Sequence, residues 1–114
     1  MKLNHPTGQA AEERALQFLQ QQGCLLRERN WHCRYGEIDL IMQHGETLLF
    51  VEVKFRRSNA FGGAAYSITP AKLAKLQRSA EHYLQTQNIN PPCRLDAVLL
   101  QGAQAPQWIQ NISG

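Results

Sequence analysis

Asp39, Glu52 and Lys54 form an Asp-x12-Glu-x-Lys pattern inside a stretch that folding alone would keep apolar. Leu48, Leu49, Phe50, Val51, Val53 and Phe55 make residues 47–56 an almost continuous apolar run. Such runs belong to strands covered on both faces. Burying a carboxylate or an ammonium there costs on the order of several kcal/mol unless the charge is paired or bound to metal. Glu52 and Lys54 are two apart and therefore share one strand face. His44-Gly45-Glu46 is a tight connection, so Glu37 to Gln43 folds back on this strand as a hairpin. Pairing around Gly45 brings Asp39 near Val51 and Glu52, with one residue of register left open. Two carboxylates and a lysine meeting at one spot suit phosphodiester hydrolysis. The pattern is loose, however, and equally suits an ion pair of Lys54 with Asp39 or Glu52 at a strand end.

The first helix offers a further carboxylate. Ala11, Ala15, Leu16, Phe18 and Leu19 recur at helical spacing between Thr7 and Gln22, and Gly23 supplies the stop. Glu12 falls on the flank of that apolar stripe, whereas Glu13 points to the opposite side. Glu12, Asp39 and Glu52 set against Lys54 leave two uncompensated negative charges. Carboxylates forced together without a cation repel, and some of them protonate. A divalent ion relieves that repulsion, and an all-oxygen donor set suits Mg²⁺ or Mn²⁺ rather than zinc. Asp39, Glu52 and Glu12 are the candidate metal ligands. Lys54 is placed to orient or deprotonate the attacking water or to stabilise the oxyanion. Glu37 shares the face of Asp39 and is either a supporting residue or a solvated strand-end glutamate.

These residues need a scaffold, and the rest of the chain supplies one. Leu25 to Trp31 reads as a first strand, Glu37 to Gln43 as a second and Thr47 to Arg56 as a third. Ser58 to Ser67 is a loop centred on Gly62-Gly63. Thr69-Pro70, a threonine N-cap with proline at the first helical position, opens a second helix that runs to about Gln87. Asn90-Pro91-Pro92 breaks the chain. Leu95 to Leu100 is a fourth strand, and Gln107 to Ile109 a short edge strand. The order α-β-β-β-α-β predicts a single α/β domain over residues 1–114 with a mixed central sheet flanked by helices.

Taken together, Asp39 with Glu52-Val53-Lys54 and this element order resemble the PD-(D/E)XK nuclease signature and its restriction-endonuclease-like core. More closely, the chain resembles the YraN-like family of small bacterial proteins, described as uncharacterised or predicted endonucleases. The matching pieces are Gly8-x-x-Ala11-Glu12-x-x-Ala15-x-x-Phe18-Leu19, Gly36-Glu37-Ile38-Asp39-Leu40-Ile41, Phe50-Val51-Glu52-Val53-Lys54-x-Arg56, Phe61-Gly62-Gly63-Ala64-Ala65 and Arg94-x-Asp96. That family is in turn similar to archaeal Holliday-junction resolvases, in which a helix glutamate joins the Asp, Glu and Lys. The resemblance favours Glu12 over Glu13 and implies branched DNA as substrate. One departure is Ile38, where the superfamily often has proline before the aspartate.

The charge distribution fits a nucleic-acid partner. The net charge is +3 and the pI near 9.0, which permits an anionic partner without demanding one. Arg56 and Arg57 follow Lys54 by two and three residues, at the expected mouth of the site, where arginine forks match phosphate oxygens; the alternative is a solvated strand end. On the second helix, Lys72, Lys75 and Ser79 run along one edge of the stripe formed by Leu73, Leu76, Ala80, Tyr83 and Leu84. Lys72 and Lys75 match basic positions in the family and are candidate phosphate contacts, against the alternative of a solvated helix flank. The pattern points to backbone binding rather than base reading.

Other residue types are less informative. Three scattered cysteines (Cys24, Cys33, Cys93) form no CxxC pair and favour reduced thiols in a cytoplasm. The histidines have no ligand spacing, and Trp31 and Trp108 read as packing residues. No run is apolar enough to span a membrane, and Met1 to Gln9 lacks an apolar h-region. A homodimer would let two sites cut two strands, but no heptad or apolar patch marks an interface. The expected activity is thus a Mg²⁺- or Mn²⁺-dependent endodeoxyribonuclease. Its rivals are a non-catalytic nucleic-acid-binding module on the same scaffold and a protein-interaction domain whose charges are structural.

Overall fold

Alternation of apolar residues along five strands builds one mixed sheet, and two amphipathic helices cover its faces. The computed structural model describes residues 6–56 and 68–113. The elements are α1 (Pro6–Gln21), β1 (Leu25–Cys33), β2 (Gly36–His44), β3 (Thr47–Arg56), α2 (Pro70–Gln87), β4 (Cys93–Gln101) and β5 (Gln107–Ile109). Strand order follows chain order, β1-β2-β3-β4-β5. Only β3 and β4 are parallel; the other pairs are antiparallel. The parallel pair needs a long crossover, and α2 provides it. Thus the expected α/β architecture is present, with β1 and β2 running two and one residues nearer their shared turn than the sequence reading placed them.

Each helix is set by its caps. In α1, the Gly23 N–H donates to Gln20 O and the Cys24 N–H to Leu19 O, with Gly23 at φ +94°. These two bonds close the helix in a Schellman motif that only an unhindered residue accepts readily. In α2, Thr69 Oγ1 accepts from the Lys72 N–H at 3.2 Å. Asn88 at φ +54° ends the helix, with its own N–H on Gln85 O and that of Ile89 on Leu84 O.

Two apolar clusters lie on opposite sides of the sheet. Ala11, Ala15, Leu16 and Leu19 of α1 pack with Leu40, Met42, Leu49, Val51, Val98 and Leu100. Leu76, Ala80 and Tyr83 of α2 pack with Ile38, Ile41, Leu48, Phe50 and Leu95. The fully buried Tyr83 ring meets Trp31 edge-on at 5.2 Å and Phe50 at 5.9 Å. Phe18 and Trp108 stack edge-on at 6.3 Å beside the α1 cluster. Both tryptophans are therefore packing residues, as their sequence context suggests. Arg14 of α1 anchors the β4–β5 turn by donating to Gly102 O and Gln104 O, each at 2.8 Å.

Candidate functional site

The site grows from a fork in the sheet. β2 pairs with β3 from His44 and Thr47 as far as Leu40 and Val51. Beyond that point β2 stays paired with β1, through Ile38, Glu37 and Gly36. β3 stays paired with β4, from Glu52 to Arg56. The two strands therefore part between Asp39 and Glu52. Asp39 Oδ2 accepts the Val53 N–H at 2.8 Å, satisfying a donor that a continued ladder would have used. Side-chain alternation also breaks here. Ile38 packs with the α2 cluster and Leu40, two residues on, with the α1 cluster. The register on either side sets Asn30 of β1 opposite Asp39. Asn30 has φ +48°, a conformation that asparagine tolerates better than most residues.

Three carboxylates meet at the fork. Glu12, Glu37 and Asp39 each offer one oxygen within 4.8 Å of the others. Half-buried Glu12 comes from α1, as its place on the helical wheel predicts, while exposed Glu13 pairs instead with Arg29 at 3.1 Å. Asn30 Nδ2 donates to Glu12 Oε1 and to Glu37 Oε2, both at 3.0 Å. An uncharged amide thus ties the two glutamates together without neutralising them. Burial pushes the Asp39 carboxyl up to about 7; the Val53 N–H opposes this, and the negative charges of Glu12, Glu37 and Glu52 add to it. The donor chemistry fits a hard divalent cation: oxygen ligands only, converging, with like charges that one cation would relieve.

Glu52 and Lys54 stand across the fork. They alternate with Val51, Val53 and Phe55, whose side chains belong with the α1 cluster, and so follow Phe50 onto the α2 side. Lys54 Nζ lies 3.8 Å from Glu52 Oε2. Its ammonium is held below the ordinary lysine value, first by a hydrogen bond shared with the Lys72 side chain, then by burial, with Glu52 opposing. An amine accepts such a bond only when deprotonated, so the pairing favours neutral Lys54. Arg56 ends β3 near enough to Lys54 to add to the same repulsion. Glu37, Glu52, Lys72 and Lys75 line one pocket with Gly36, Leu76 and Ser79. Arg57 and the Ser58–Ser67 loop lie outside the described residues.

The uncharacterised protein family UPF0102 matches this chain over residues 11–100. The chain belongs to that family. A UPF0102 protein of Neisseria meningitidis serogroup C is 64% identical over 115 residues, covering all of both chains. One from Neisseria gonorrhoeae is 63% identical over the same length. One from Nitrosomonas eutropha is 56% identical over 104 residues, covering 91% of this chain and 90% of its own. This is the YraN family that the sequence motifs resemble. UPF0102 motifs thus account for most of the sheet and both helices.

Within this UPF0102 chain, the structure gathers Glu12 and Asp39 but joins them to Glu37 rather than to Glu52. Of the two readings left open for Glu37, it lies within the carboxylate group. Glu52 sits with Lys54 and the two helix lysines instead. Asn30 is the residue that sequence reasoning missed. Its signal was present: an asparagine, a poor strand former, within the strand that pairs with the Asp39 strand. Among the described residues, no helix is long and apolar enough to cross a membrane.

Proposed function

We propose that this UPF0102 chain is a divalent-metal-dependent endonuclease that hydrolyses phosphodiester bonds in DNA. The observation that carries the reading is the Asp39 fork, where a half-buried carboxylate with one backbone donor is surrounded by like charges. Folding stability alone gives no reason to keep such a group, and perturbed groups of this kind mark functional sites. Glu12, Asp39 and Glu37 would hold Mg²⁺ or Mn²⁺. A cation bound there lowers the pKa of water and offsets charge developing on a phosphate.

The remaining roles fall to side chains. Lys54, whose ammonium form Lys72 disfavours, would accept a proton at Nζ as water oxygen attacks phosphorus. A phosphorus–oxygen ester bond breaks, and the leaving alkoxide takes a proton from solvent. Glu52 holds Lys54 beside the fork and adds negative charge towards Asp39. Arg56, Lys72 and Lys75 line the approach and bind the phosphate backbone without reading bases. The likeness to resolvases makes branched DNA the substrate class to test first.

The test is cleavage of labelled single-stranded, duplex, flap and four-way-junction DNA with Mg²⁺ or Mn²⁺, wild type beside Asp39→Ala. Nicking by the wild type that the variant lacks supports the nuclease. Metal-independent binding with no cleavage of any substrate moves the reading to a nucleic-acid-binding module.

A further inference from the structure

Beside the fork, on the α2 side, lies a small pocket of about 140 Å³ lined by Gly36, Glu37, Glu52, Lys72, Lys75, Leu76 and Ser79. It is well below the roughly 300–1,000 Å³ of pockets that take a whole small molecule. Its floor is unusual. Ser79 is 1% exposed, and its Oγ has no hydrogen-bond partner among the described residues. A helical serine ordinarily turns its hydroxyl back onto its own backbone or out to water. A buried hydroxyl that does neither requires an explanation. The wall opposite is Gly36, and a Cβ added there would stand 3.7 Å from Ser79 Oγ. Gly36 thus stands beside the hydroxyl at ordinary contact distance and fills none of the space around it with a side chain.

The helix side of the pocket offers positive charge to an anion. Lys72, Lys75 and Ser79 are spaced to share one face of α2. Lys72 lies in the first turn, where the helix dipole adds positive potential. Lys54 reaches Lys72, and Arg56 reaches Lys54. Lys72 and Lys75 thus bring two ammonium groups to a space into which Glu37 and Glu52 contribute two carboxylates. A group small enough for the pocket, negatively charged and rich in acceptors is a phosphate.

We propose that this pocket seats a second backbone phosphate of the DNA strand being cut, other than the scissile one, with Ser79 Oγ–H donating to it and Lys72 and Lys75 supplying charge. The proposal rests on the nuclease reading for its substrate but not for its test. Because the seat and the fork share Glu37 and Glu52, a strand held here is presented to Asp39 and Lys54. Ser79 is a positioning residue in this scheme.

The experiment is binding of a short single-stranded oligothymidine to the full chain in the presence of a chelator, followed by calorimetry and by amide chemical shifts. Saturable binding is expected, with shifts at Gly36, Lys72, Lys75 and Ser79, and with competition by inorganic phosphate. Ser79→Ala should weaken it about tenfold, the worth of one hydrogen bond to a charged group. Its melting temperature should not fall, because the hydroxyl satisfies nothing inside the protein. Lys75→Gln should weaken binding and reduce the salt slope by about one. Unchanged affinity in Ser79→Ala, or a sharp fall in its melting temperature, would overturn the seat, as would absence of binding by the wild type. Ser79-dependent binding without any metal-dependent cleavage would keep the seat and remove the nuclease. Cleavage with Ser79-independent binding would do the reverse.

Discussion

Asp39 and Asp96 are aspartates on sheet strands, yet their surroundings are opposite in kind. Asp96, on β4, is 0% exposed. Its Oδ1 accepts from Arg94 Nε at 3.0 Å and from the Asn111 N–H at 2.9 Å; Oδ2 accepts from Trp108 Nε1 at 2.9 Å and from Arg94 Nε at 3.1 Å. A cation and two neutral donors hold it, and through Asn111 and Trp108 it clamps the C-terminal segment to the sheet. Asp39 has one backbone donor and three carboxylates around it. Asp96 has its acceptors filled within the folded chain. Asp39 has no cation among its partners in the described residues. A buried charge that is fully paired reads as architecture, and a half-buried one set among like charges reads as a candidate site.

Substitution at Asp96 should have the largest effect. Asp96→Ala strands Arg94 and removes the ties to Trp108 and Asn111, which should cost about 3–5 kcal/mol. That is a large share of a typical stability of about 5–15 kcal/mol, and urea unfolding measures it. Asp39→Asn should do the opposite: cleavage falls to background while the metal-free protein becomes more stable. The asparagine carbonyl can still accept the Val53 N–H, and the repulsion with Glu12, Glu37 and Glu52 is gone.

The pH dependence separates the two aspartates further. The Asp39 carboxyl sits at about 7 in the fold against an ordinary 3.8. The folded state therefore holds that proton more tightly than the unfolded chain does. Its contribution to stability is full below 3.8 and is lost as pH rises through about 7. The melting temperature of metal-free wild type, taken relative to Asp39→Asn, should decline from acid pH to about 7 and level off above it. A difference that stays flat across this range would contradict the description of the fork.

Smaller effects should follow further from the carboxylates. Asn30→Ala releases Glu12 and Glu37 from their shared donor and should weaken divalent-cation binding about 10–100-fold, as loss of a ligand-orienting partner generally does. Thermal shift against Mn²⁺ concentration reads this out. Glu13→Ala removes only the exposed pair with Arg29, and its effect on stability should stay below about 1 kcal/mol.

The comparison also explains what was legible in the sequence. β3 was legible because its apolar run is almost continuous, and α2 because Thr69-Pro70 is a local start signal. Both have the bounds that the sequence suggests. Glu12 was legible from helical periodicity alone. The fork was not, because the parting of β2 from β3 is a property of the assembled sheet, which no local pattern encodes. Glu37 and Asn30 depend on that fork and on a backbone kink in β1. The clamp on Asp96 was equally hidden: its partners Trp108 and Asn111 lie 12 and 15 residues away, in a segment with little periodicity. Arg94-x-Asp96 stood out only as part of a family resemblance, with no mechanism attached.

The central claim is that the Asp39 fork is left unsatisfied because it is built to hold a divalent cation. Calorimetric titration of the full chain with Mn²⁺, wild type beside Asp39→Asn, tests it most directly. The account predicts saturable binding by the wild type that the folded, stabilised variant loses. Equal binding by both proteins, or none by either, would contradict it.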